Sequence, residues 1–399
     1  MKNIKKKSYS KVILKNISLV IFSILLAIYM IEIVYGLYHI SSYKHKKWAK
    51  HKRSKYDIYM DYKNSGKDVV VSVHPASFIS KINNEDKIHP LSGISNKSTI
   101  HCNESGFWKI YKSDRYGFNN PDKEWDKLHF DFVLIGDSYA HGECVHEKDT
   151  IAGQLRNKTE VLNLGYGGNG PLLEYATLRE YFKNIKTKNV LWLYSEGDLQ
   201  DFKSELSNKV LINYLKDINF TQDLINRQKE IDLITSSALL QELKKHQRKK
   251  NALFRFEEFD FKKVLFLQSI RHRLSWMFKI DLMNINLISS KEDKSNYLDE
   301  FSEILVQANN LVTKNNSRLY FVYLPEFPGI YTDGQRLQSY KKVINLVEKL
   351  NIPIIDLYKD LFSKHPDPKS LFPGRIYGHY TEEGYRLVAK TILEDMRGL

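Results

Sequence analysis

Cysteine is nearly absent from this chain of 399 residues, which has only Cys102 and Cys144. So low a count excludes a disulfide-dense scaffold, and without a Cys-x-x-Cys or His-x-x-x-His spacing the common zinc motifs are excluded too. Acidic residues are almost missing from the first 55 positions, which hold 13 Lys and Arg against Glu32 alone. The other 344 residues carry 48 basic and 46 acidic side chains, so the formal net charge of +14 belongs to one end of the chain. A near-neutral body does not have the charge footprint of a nucleic-acid-binding protein. Internal repeats are lacking, and long apolar runs are scarce.

The one long apolar run covers residues 17–38 and is interrupted only by Glu32. Roughly 20 apolar residues of helix cross a hydrocarbon layer about 30 Å thick. No small-x-small cleavage site follows, so the run is read as an uncleaved transmembrane anchor behind a basic N-terminus of residues 1–16. Six lysines precede it and seven Lys or Arg follow between Lys44 and Lys55, so the positive-inside rule does not choose an orientation. The second basic run either lies against lipid headgroups or is a solvated linker.

Residues 39–129 read as a linker and an irregular N-terminal extension, and Ser113 to Pro121 within it ends in turn formers, as an ordered surface loop would. From Phe130 short apolar strands alternate with helical patterns, the signature of a parallel sheet covered by helices. Strands are expected at 132–135, 161–164, 190–194, 319–324 and 352–355, with helices at 150–156, 172–182, 297–313, 335–350 and 381–396. Sequence from about 206 to 294 interrupts the alternation and is expected to be a helical insertion in a domain spanning 130–399.

Chemistry concentrates in three blocks. The first strand runs into Gly136-Asp137-Ser138, and parallel sheets present their ligands at the carboxyl ends of strands. A turn with an N-capping serine has the same sequence, so this triplet alone does not decide. After the second strand comes Asn163-Leu-Gly165-Tyr-Gly167-Gly168-Asn169-Gly170-Pro171, whose glycines can aim backbone N–H groups at an anion. The Lys-Ser or Lys-Thr ending of a phosphate loop is missing, and a plain turn is the simpler alternative. Near the C-terminus, Gly378-His379-Tyr380-Thr381 precedes an amphipathic helix, which puts His379 in place for a general base.

These blocks resemble those of the SGNH/GDSL hydrolase superfamily over residues 130–399. The resemblance implies a three-layer α/β/α parallel-sheet fold, Ser138 as nucleophile, His379 as base, and an oxyanion hole from the N–H groups of Ser138 and Gly168. The segments Asn96-Lys-Ser-Thr, His101-Cys-Asn-Glu and Ser113 to Pro121 are similar to those of bacterial membrane-anchored SGNH proteins of the cell envelope. That similarity, with the two cysteines, implies a single-pass inner-membrane protein with its N-terminus cytoplasmic and its body periplasmic or extracellular, where Cys102 and Cys144 can pair. The implied substrate is an acyl ester, such as O-acetyl groups on envelope polysaccharide, with no metal, organic cofactor or nucleic acid.

Two departures from the family pattern bear on activity. Its third block supplies an Asn side chain to the oxyanion, whereas this chain reads Ser195-Glu196-Gly197-Asp198. An ionised carboxylate at 198 accepts hydrogen bonds only and would repel the oxyanion. The acid that orients the histidine is often three residues before it, where this chain has Ile376. Asp367 is the expected substitute if its loop folds back, and a Ser-His dyad held by a backbone carbonyl is the alternative. An O-acyltransferase and a decayed envelope scaffold or glycan-binding protein are the competing functional readings.

Overall fold

A computed structural model describes residues 15–34, 53–82, 87–183, 185–251, 297–327, 334–375 and 378–398. The chain divides into two compact units, Met1–Arg53 with Lys245–Glu292, and Ser54–Lys244 with Asp293–Leu399.

In the first unit, helix α1, Lys15–Val34, is long and apolar enough to cross a membrane. It leaves Ile17, Leu19, Phe22, Leu26 and Ile31 exposed, an outward apolar surface that water does not favour. The expected span continued to residue 38, and 35–38 lie outside the described residues.

The second unit begins with helix α2, Lys55–Asn64, whose N-cap Ser54 and Asp57 form a capping box. Three short strands follow, β1 (Val69–Val71), β2 (Ser98–Ile100) and β3 (Ile110–Lys112), with β1 parallel and β3 antiparallel to β2. The main sheet then starts with β4, His129–Gly136, followed by short helices α3 (Ser138–His141) and α4 (Ile151–Arg156). Next come β5 (Val161–Asn163), α5 (Pro171–Tyr181), β6 (Lys186–Ser195), α6 (Asp198–Leu206), α7 (Ile212–Lys216) and α8 (Gln228–Asn251). The remaining described elements are α9 (Leu298–Lys314), β7 (Arg318–Leu324), α10 (Gly334–Lys349), β8 (Ile354–Asp356) and α11 (Glu382–Gly398).

All pairings in the five-stranded sheet are parallel, in the order β5-β4-β6-β7-β8. Its central strands are apolar on both faces because helices cover both. Val133, Ile135, Trp192 and Phe321 point to the side packed by α5 and α9. Their neighbours Leu134, Leu191, Leu193 and Val322 point to the side packed by α4 and α11. The expected five strands and five helices are present with ends displaced by a few residues, and the fold is the expected three-layer α/β/α type. Among the described residues the insertion has helices and no strand; residues 252–296 lie outside them.

The order β5-β4-β6 places the first strand of the sheet between the second and third, so connections leave β4 in opposite directions. The crevice at its carboxyl end is where open parallel sheets bind ligands. Ser138 follows β4 there, the glycine-rich turn follows β5, and Ser195 ends β6.

One expectation needs correction. The segment 113–121 is not a surface loop, because Ser113, Asp114, Phe118, Asn119 and Asn120 are buried. Asp114 accepts hydrogen bonds from the N–H groups of Tyr116 and Phe118, from Asn120 Nδ2 and from Trp125 Nε1, at 2.7–2.9 Å. Polar turn formers can be buried when their hydrogen bonds close on one another. The extension and the sheet domain lie in one compact unit, with no structural break at residue 129.

Candidate active site

The nucleophile block is set by the backbone. Gly136 has φ 149°, and a Cβ there would lie 2.5 Å from the Leu193 carbonyl oxygen, so only glycine lets β4 turn this close to β6. Asp137 caps α3 by accepting the Tyr139 N–H at 2.9 Å. Ser138 thus occupies the first helical position.

His379 arrives from the far end of the chain, and its Nε2 lies 2.8 Å from Ser138 Oγ. Its Nδ1 lies 2.9 Å from Glu104 Oε1, while its backbone N–H donates to Glu104 Oε2 at 2.8 Å. The carboxyl therefore holds both ring and backbone of the histidine. A Cβ on Gly378 would fall 2.9 Å from Glu104 Oε2, so glycine at 378 leaves room for that grip. Burial alone would lower the His379 pKa. The hydrogen bond to Glu104, with the charges of Glu143, Glu104 and Asp137, outweighs burial and raises it.

Asp367 is not the orienting acid. Its two oxygens accept from Arg375 Nη1 and Nη2 at 2.6 and 2.7 Å, in an exposed ion pair. Glu104 was missed because it precedes His379 by 275 positions. The available signal was the His101-Cys102-Asn103-Glu104 stretch: Cys102 is bonded to Cys144, with Cα atoms 5.2 Å apart, six residues after Ser138. The disulfide ties the loop bearing Glu104 to the segment that follows Ser138.

The glycine-rich turn has most of its N–H groups committed. Gly165 donates to Asn163 Oδ1, Gly167 to His141 Nδ1, Asn169 to the Tyr166 carbonyl and Gly170 to Glu205 Oε1. The N–H groups of Gly168 and Ser138 have no hydrogen-bond acceptor among the described residues. The turn is braced from behind: Asn163 Nδ2 donates to the Ala140 carbonyl at 2.7 Å, Asn119 Nδ2 to the His141 carbonyl at 2.9 Å and Asn120 Nδ2 to the Asn163 carbonyl at 2.8 Å. The segment 113–121 thereby locks α3 and the glycine turn together.

Beneath them lies a buried polar cluster. His101 Nε2 is 2.9 Å from Glu143 Oε2, and donor atoms of His101, His141 and Glu143 lie within 4.8 Å of one another. Such a set invites a metal reading, but His141 Nδ1 accepts the Gly167 N–H, which leaves the proton of the neutral ring on Nε2 and no free lone pair for a cation. Burial, with the neighbouring His101, holds the His141 pKa well below the ordinary value, so the ring stays neutral and keeps that acceptor.

In the third block, Asp198 lines the same cavity, but both its oxygens turn to Ser195. Oδ2 accepts the Ser195 N–H at 2.8 Å and Oδ1 lies 3.1 Å from Ser195 Oγ. Ser195 Oγ is also 2.9 Å from Asp137 Oδ2. One hydroxyl hydrogen cannot fully serve two carboxylates, and burial, with Glu174 and Asp137 nearby, raises Asp198 well above the usual carboxylate range. Both Asp198 oxygens therefore face Ser195, and burial disfavours the ionised form that was expected to repel an oxyanion. Gly197 is the N-cap of α6 and also borders the cavity.

The cavity has a volume of about 200 Å³ and brings together Ser138, Gly168, Asn169, Asp198, Glu326 and His379. Its walls are polar and apolar in nearly equal measure. No family model matches the chain, and no curated protein matches it. Solved structures do. A G-D-S-L family protein of Veillonella parvula DSM 2008 shares 13% identity over 68% of this chain and 100% of its own, with a TM-score of 0.37. A lipolytic G-D-S-L family protein described as putative, from Desulfitobacterium hafniense DCB-2, shares 12% over 67% and 98%, with a TM-score of 0.35. Axe2, an acetylxylan esterase of Geobacillus stearothermophilus, shares 14% over 66% and 93%, with a TM-score of 0.34.

Proposed function

We propose that this protein is a serine ester hydrolase working through Ser138, His379 and Glu104. The observation that carries the reading is the continuous chain of contacts from Glu104 Oε1 to His379 Nδ1 at 2.9 Å and from His379 Nε2 to Ser138 Oγ at 2.8 Å. Nucleophile, base and orienting acid within hydrogen-bond reach form the arrangement that activates a serine hydroxyl. Such completeness also weighs against a decayed scaffold.

Ser138 Oγ attacks the acyl carbonyl as its proton passes to His379 Nε2, and the Glu104 carboxyl steadies the imidazolium through Nδ1–H. The N–H groups of Ser138 and Gly168 receive the carbonyl oxygen as it becomes negative. Collapse of the tetrahedral intermediate expels the alcohol, which takes the proton from His379. Water then gives a proton to His379 and attacks the acyl-serine; release of the carboxylic acid returns the proton to Ser138.

A cavity of about 200 Å³ bounded by Asp137, Asn169, Ser195, Asp198 and Glu326 favours a short acyl group and an alcohol with hydroxyls to pair. O-acetyl groups on an envelope polysaccharide have this chemistry. In the same reading α1 anchors the protein in the inner membrane, with the N-terminus cytoplasmic and the body outside.

The test is turnover of an aryl acetate, with fluorophosphonate labelling, by purified wild type and Ser138→Ala. Labelling and turnover confined to the wild type are expected. Equal turnover by the two proteins would refute the assignment.

A further inference from the structure

The oxyanion hole just described has two backbone donors, and the third-block position that would add a side-chain amide holds Asp198, turned to Ser195. We infer that Asn169 is a catalytic residue whose side-chain amide is the third oxyanion donor, supplied from the glycine-rich turn. The inference rests on the ester-hydrolase reading of Ser138.

Asn169 follows Gly168, and its backbone N–H donates to the Tyr166 carbonyl at 3.3 Å, which fixes where its side chain leaves the turn. The residue is 4% exposed, yet neither Nδ2 nor Oδ1 has a hydrogen-bond partner among the described residues. It borders the cavity together with Ser138, Gly168 and His379. A side-chain amide offers two donors, and burying it unpaired works against folding, so such groups are rare in native interiors. The other amide on the same turn is employed: Asn163 pairs at both ends of its side chain with Ala140 and Gly165. Asn169 alone on that turn has an amide in reserve. A group desolvated in advance and unpaired in the resting state gains its partner when negative charge develops on the carbonyl oxygen, the condition for stabilising a transition state more than a ground state.

The mechanism separates stability from catalysis. Because the amide makes no hydrogen bond at rest, Asn169→Leu removes a buried polar group and leaves the melting temperature unchanged or higher. The same substitution, and Asn169→Ala, lower kcat for an aryl acetate by on the order of 10² to 10³ while KM stays within about threefold. Asn169→Asp, an isostere that offers no donor when ionised, falls at least as far as Asn169→Ala.

The experiment measures kcat, KM and thermal melting for wild type, Ser138→Ala and the three Asn169 variants of the full-length protein. Lower kcat at unchanged KM and undiminished melting temperature supports the inference. Asn169→Ala turnover within about threefold of an active wild type, beside an inactive Ser138→Ala, overturns the role of Asn169 and leaves the hydrolase reading intact. Parallel loss of kcat and melting temperature in all three variants makes Asn169 structural and also overturns the role. Wild type no faster than Ser138→Ala removes the hydrolase reading, and this inference with it.

Discussion

In the proposed mechanism the imidazole of His379 makes Ser138 a nucleophile, and Glu104, 2.9 Å from its Nδ1, orients that imidazole. His379 must be neutral to accept the serine proton, and its pKa is raised, so activity should climb as pH rises through a value above that of an ordinary histidine. Glu104→Gln removes the charge, and with it the charge-assisted character of the hydrogen bond, that do most to raise it. The variant should lose on the order of 10² to 10⁴ in kcat/KM, and its acid limb should move to lower pH. Asp367→Asn breaks only an exposed pair with Arg375 and should leave both quantities unchanged. pH–rate profiles of the three proteins check this; an unshifted acid limb in Glu104→Gln would show that Glu104 does not govern the base.

No regular helix or strand carries Glu104, which sits in a loop between β2 and β3, so its precision depends on what ties that loop down. The Cys102–Cys144 bond does so at one point and the His101–Glu143 contact at the adjacent one. The bond spans 42 positions, which in the chain-entropy account corresponds to about 3 to 4 kcal/mol of stabilisation. Cys102→Ser should therefore lower the melting temperature and, because the acid loop is released, lower kcat as well. Alkylation of the wild type under non-reducing conditions should find no free thiol. Two reactive thiols, or a Cys102→Ser variant with full kcat, would separate the disulfide from the site. Lys109 adds a third tether on the same hairpin, with Nζ 3.0 Å from Glu382 Oε1 at the start of α11.

For the whole molecule, charge and apolarity are segregated. Lysines and the apolar helix α1 occupy the N-terminal end, whereas the body has almost equal numbers of acids and bases. An anchored hydrolase with its body outside the inner membrane should remain in carbonate-washed membranes and be digested by protease added to spheroplasts. A body protected until the spheroplasts are lysed would reverse the proposed orientation. The side chains bordering the cavity at the carboxyl end of β4 include the acids Asp137, Asp198 and Glu326 and the amide of Asn169.

The sequence by itself determined the alternation of strands and helices, the parallel sheet, and the succession of Ser138, Gly168 and His379 along the chain. These features follow from side-chain periodicity and turn chemistry acting over a few residues, so a local pattern is enough to specify them. Tertiary structure alone decided which acid meets His379, because Glu104 and Asp367 both lie in loops and only chain folding over 275 positions brings one of them to Nδ1. It also decided that Asp198 turns to Ser195, that the polar segment 113–121 is buried as a brace, and that the amide of Asn169 is left unpaired beside the nucleophile. Direction, burial and hydrogen-bond satisfaction of a polar side chain depend on neighbours contributed by distant segments, and no window of sequence contains them.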